Sequence, residues 1–210
     1  MYTLPNSEKK IRERAMRYRR SLINEEKNHG YISDGAGKRY LVGPLFVLAD
    51  DLGKAIDYYK WYEEEFSDDS GEPLHYIYWA LALFRVGNIK EAEKKLLEAL
   101  VQNIYILFAL TGMKIGKHDI WYGSNFEDPD YLFEIPEDML PTLSEEERLW
   151  TQKMIESITF QRVLKEYIAT FHALKYEKEV IKRTVILDNW YGFLEKALRQ
   201  SANISFEGDG

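Results

Sequence analysis

A glycine–lysine pair closes the run Asp34-Gly35-Ala36-Gly37-Lys38, the arrangement from which a phosphate-binding loop is built. Such a loop needs a glycine five positions before Gly37, where Ile32 stands, and a hydroxyl residue after the lysine, where Arg39 stands. No apolar strand leads into it, so the run reads as a turn-forming loop. The four histidines, His29, His75, His118 and His172, are isolated and form no HExxH or other ligand spacing, so no metal and no cofactor is expected. His118-Asp119 could share a proton, but adjacency in a loop does not fix the geometry that acid–base catalysis requires. Glu127, Asp128, Asp130 and Glu134 offer oxygen ligands without the spacing or glycine of a calcium loop, and Pro129 interrupts them. Glu63-Glu64-Glu65 reads as a solvated helix face, and Glu145-Glu146-Glu147 as a helix start favoured by the dipole. With no catalytic constellation and no cysteine for thiolate chemistry, the chain is expected not to be an enzyme.

The elements that carry these residues are helical in pattern. Hydrophobic residues at 45% and charged residues at 30% belong to an ordered protein, and 15 Tyr with 5 Trp supply much of its core. The apolar run Ile104 to Leu110 is far below the ~18 residues of a membrane span. Charge begins where an export signal would need apolar residues, so a cytoplasmic protein is expected. The net charge of −7 is uneven. From Glu8 to Arg20, seven basic residues stand against two acidic ones; this leaves −12 for the remainder and makes nucleic acid an unexpected partner.

Asn6-Ser7 can cap a basic helix over 8–28, with Ile11, Ala15, Tyr18 and Leu22 as its apolar stripe. An apolar helix follows over 40–48, with Pro44 expected in its first turn, where its missing N–H costs nothing. Asp51 caps the next helix, whose buried face is Ala55, Tyr58, Tyr59, Tyr62 and Phe66. Helices over 72–85 and 89–101 are joined at Gly87-Asn88, and another is expected from Asn103 to Ile115. Residues 117–143 hold three prolines and no sustained period, yet five aromatics, so this irregular segment should pack onto the helices. Ser144 and Glu147 form a capping box that opens a helical region over 144–200, with breaks expected near Ser157–Phe160 and near Lys175 or Asp188-Asn189. The tail from Ser201 should fray.

Two of these hairpins follow one pattern, with Ala55 and Ala92 37 residues apart. In the second, Tyr76, Trp79, Ala80, Leu83, Gly87, Ala92, Leu96 and Ala99, and in the first, Val42, Gly43, Phe46, Ala55, Tyr59 and Tyr62, resemble the signature of tetratricopeptide repeats over about residues 40–113. Asp50 stands in place of the turn glycine, the spacing exceeds the usual 34, and the closing proline is absent, Ile104 standing where it would fall. The resemblance implies an all-α fold of antiparallel hairpins over 40–115, stacked as a short solenoid and capped by flanking helices in one helical domain, 1–210.

It also implies a scaffold-like protein-interaction module that binds a peptide or protein partner in an inter-helix groove. First helices of such units line the concave face, which makes Arg39, His75, Tyr78 and Arg85 the expected partner-binding residues. Two alternatives remain. Residues 117–143 could be a lid over a pocket, giving a small-molecule binder or an unrecognised enzyme. An acidic inhibitor or immunity-type protein that masks a basic partner also fits the charge.

Overall fold

The computed structural model describes residues 3–201 and is all-α, with no strand among them. Ser7 accepts a hydrogen bond from the Lys10 N–H and opens α1 (Glu8–His29), which stops at Gly30 in the left-handed region. Then come α2 (Lys38–Leu48), α3 (Leu52–Glu65), α4 (Pro73–Arg85) and α5 (Ile89–Gln102). α2 pairs with α3 and α4 with α5, while α4 also packs on both α2 and α3. α1 lays Ile11, Ala15 and Leu22 against α2, and its Arg12 reaches the Asp51 carboxylate at 2.9 Å and the Ala49 carbonyl at 2.8 Å. The basic helix thus docks internally by one face, while Lys9, Lys10, Arg17 and Arg20 remain exposed on the other.

The two hairpin turns carry the same backbone hydrogen bonds at positions 37 apart. Ala49, Asp50 and Asp51 donate to Leu45, Val47 and Phe46; Val86, Gly87 and Asn88 donate to Ala82, Phe84 and Leu83. Asp50 takes a positive φ of 51° where Gly87 takes 79°, so the aspartate adopts the left-handed conformation that the turn demands.

What lets the hairpins close is a pair of residues in α2. Gly43 lies so near the Tyr59 ring that a Cβ there would sit 2.6 Å from the hydroxyl oxygen. Tyr59 stacks on Trp79 of α4 at 4.8 Å and 8°, and the Lys95 ammonium of α5 sits 3.8 Å from the Trp79 ring centre, held by Glu63 and Glu98. Pro44 is not in the first turn of its helix but well inside it, because α2 begins at Lys38. It therefore leaves the Tyr40 carbonyl without an in-helix donor, and His75 of α4 supplies one through Nδ1 at 3.3 Å.

Beyond α5 the helix expected over Asn103–Ile115 shrinks to α6 (Ile106–Thr111). The Asn103 side chain accepts from the Tyr105 and Ile106 N–H groups at its start, and Gly112, with φ 71°, stops it. The segment 117–143 holds two 3-10 turns (Asn125–Glu127, Glu137–Met139) and the single turn of α7 (Tyr131–Glu134). It buries Ile120, Tyr131 and Met139, but Phe133 is 87% exposed. The Ser144–Glu147 capping box opens α8 (Glu145–Glu156), and Ser157 both ends it and caps α9 (Ile158–Tyr176). The second break falls at Glu177–Glu179, so Asp188-Asn189 lies inside α10 (Val180–Ser201). α9 and α10 pack together and on α5, and the tail beyond Ser201 is outside the described residues. Among the described residues no helix is long and apolar enough to cross a membrane.

Gly43→Ala is expected to destabilise the protein by about 1–3 kcal/mol, because the new methyl must displace the Tyr59 ring. Denaturant unfolding checks this. Combined with Tyr59→Leu, the loss should be less than additive.

Candidate functional site

Within the segment 117–143, residues 126–139 cross the amino-terminal ends of α2 and α4, and fixed donors hold them there. The Asn103 Nδ2 donates to the Phe126 and Asp128 carbonyls at 2.7 and 3.1 Å. The Tyr78 hydroxyl donates to the Met139 carbonyl at 3.1 Å, and the Leu4 N–H donates to Asp138 at 2.8 Å. Between this strap and the helices lies a cavity of about 330 Å³. α2 contributes Tyr40, Leu41 and Pro44, and the loop before it Ala36 and Gly37; the strap contributes Phe126, Tyr131 and Met139. The polar lining is mostly acidic: Glu72 at the start of α4 and Glu134, exposed at the rim. Among the described residues no lysine, arginine or histidine lines it.

Glu72 is there because Pro73 starts α4, and a carboxylate before that proline can cap the helix. Its Oε2 accepts from the His75 N–H at 2.8 Å. The residue is 9% exposed. Burial pushes its pKa up to about 7, against the lowering effect of the backbone N–H groups of His75 and Leu74. Tyr40 has its hydroxyl on Asp69 at 2.8 Å, and burial, then that hydrogen bond, pushes it up to about 12. Arg39 reaches the same carboxylate at 2.6 Å.

Of the four residues expected to bind a partner, three are packed among their neighbours and the fourth lines a cleft. Arg39 is spent on Asp69, Asp34 and the Tyr40 hydroxyl, and its guanidinium stacks 4.6 Å from the Tyr40 ring centre. His75 is 0% exposed, walled by Tyr40, Tyr59, Tyr62, Tyr76 and Trp79. Burial pushes its pKa down to about 3, so it is neutral; with Nδ1 donating, its Nε2 is a buried acceptor without a partner. Tyr78 is 2% exposed. These three stand behind the cavity and fix its walls: Arg39 and His75 through Tyr40, and Tyr78 through Met139. Arg85 is at the opposite end of α4, in a second cleft of about 790 Å³, paired at 2.6 Å with Glu147 of the capping box. The structure brings the first three together and leaves Arg85 apart.

Glu72, Leu41 and Pro44 were missed by sequence reasoning. Glu72 had a signal, a carboxylate immediately before a helix-opening proline ahead of an apolar run. Among the described residues no cluster of three His, Asp or Glu side chains is arranged to hold a metal ion.

Glu72 makes stability depend on pH. Its carboxyl holds a proton more tightly when folded, at about 7 against an ordinary 4.5, so its contribution is complete below the lower value and is lost as pH rises through the higher one. Glu72→Gln keeps the capping oxygen and cannot ionise. Between pH 5 and 8 the wild type is expected to lose roughly 2 kcal/mol relative to this variant in denaturant titrations. Parallel curves would show that Glu72 does not titrate in that window. No protein-family model matches the chain, and neither a curated protein nor a solved structure matches it.

Proposed function

We propose that the chain is a non-catalytic protein-interaction module, and that the cavity between α2, α4 and residues 117–143 anchors a side chain of its peptide or protein partner. The observation that carries this reading is the cavity itself. It is apolar and aromatic, at the lower end of the ~300–1,000 Å³ range of ligand sites, and roofed by a strap held by buried side-chain donors. A rim held by such bonds has less to order when a ligand binds. The matching turns 37 residues apart support the tetratricopeptide-like reading of α2 to α5, in which first helices present the binding surface. In this chain that surface is met at the amino ends of α2 and α4, with Arg39, His75 and Tyr78 as its support. A cytoplasmic setting suits a chain without cysteine.

A second reading, a small-molecule binder with the strap as lid, is favoured by Glu72. A carboxyl near neutrality is what proton transfer needs, but this one is committed to the first amides of α4, which favours binding over chemistry. An acidic inhibitor of a basic partner is a special case of the first reading.

Ala36 sits exposed at the mouth, so Ala36→Trp should block the cavity while leaving the fold intact. Peptides selected on the wild type from a random display library are expected to lose at least about tenfold in affinity for this variant, the cost of one lost anchor. Equal binding to both proteins would place recognition outside the cavity.

A further inference from the structure

The cavity's chemistry narrows what it can hold. Its walls are apolar and aromatic, yet both of its charged residues are carboxylates. The guanidinium of Arg39, which adjoins the lining residue Tyr40, is stacked on that ring and divided between Asp34 and Asp69, so it does not neutralise them. A negative group entering here would meet Glu72 and Glu134 with no cation to receive it. A neutral apolar group would leave the buried Glu72 carboxyl facing it without a new partner, which forfeits binding energy. A group with a long apolar stem and a positive head satisfies both walls and carboxylates, and the rings of Tyr40, Phe126 and Tyr131 add a favourable surface for a cation. The charge of the whole chain acts in the same direction, since −12 lies outside the basic stretch of α1 and draws basic partners.

We propose that the cavity accepts a lysine side chain of the partner, its methylene stem against Tyr40, Leu41 and Pro44 and its ammonium toward Glu72 and Glu134. This assignment rests on the cavity being the recognition site. Lysine suits the place because its charge is compact and its stem is long enough to cross an apolar wall before reaching the carboxylates.

The test uses two capped amino acids with the same stem. Nα-acetyl-lysine methylamide and Nα-acetyl-norleucine methylamide are titrated into the full chain and followed by NMR shifts of residues lining the cavity. The lysine probe is expected to bind roughly tenfold tighter, the scale of one charge-assisted hydrogen bond. Glu72→Gln should erase most of that preference. Glu134→Gln, a rim change that leaves the α4 cap untouched, should reduce it even if the first variant folds poorly. Equal affinity for the two probes would overturn the lysine assignment and leave the cavity as an apolar anchor site. A lysine preference that survives both variants would place the ammonium elsewhere and overturn it too. If neither probe moves any lining resonance while Ala36→Trp still abolishes library-peptide binding, the occupant is not of this kind; if that variant also binds normally, the cavity itself is not the recognition site.

Discussion

The absent side chain of Gly43 allows the Tyr59 ring to lie against the α2 backbone, and from that approach a continuous stack runs through Trp79 to the Lys95 ammonium. Four helices are tied in this one sequence of contacts. Without it, α4 could not come close enough to α2 for His75 to reach the carbonyl that Pro44 leaves bare, nor would Tyr40 and Tyr78 stand where they do. The cavity is the space left over when these contacts are satisfied and the strap is drawn across their ends. Its inner wall is set by the core behind it.

The burial of ionisable groups around it works in opposite senses. His75 is held neutral because its pKa is driven down, and Glu72 is held partly protonated because its pKa is driven up; both respond to exclusion of water. The charged network of Arg39, Asp34 and Asp69 is different. It is largely buried but mutually satisfied, and it behaves as a clamp that joins the loop before α2 to the turn after α3. Polar residues that look like a binding surface are therefore used as structural fasteners, and a largely apolar space lies beside them.

How far the sequence was legible follows the range of each interaction. Caps and turns are local, so Ser7, Asp51 and the Ser144–Glu147 box could be read directly, as could the 37-residue register of the two hairpins. Pro44 was misplaced because the donor that permits it within a helix comes from α4, and nothing near Pro44 reveals that. The helix from Asn103 was overextended because apolar spacing continued past Gly112, whose left-handed conformation ended it. Arg39 and His75 were taken as surface residues because polar side chains at concave positions usually are; their partners, Asp69 and the Tyr40 carbonyl, become neighbours only once the hairpins stack. The strap's aromatic content was correctly a sign of packing, but the helix ends it packs against could not be inferred from periodicity.

Pro44 and His75 amount to a single choice written at two places in the chain. A variant with an N–H at position 44 would make the imidazole donor redundant, and one without the imidazole would strand the Tyr40 carbonyl. Drift at either position is thus conditional on the other. Relatives of this protein should exchange the two together, so that a joint change at these sites marks a lineage in which the stacking of the two hairpins has been renegotiated.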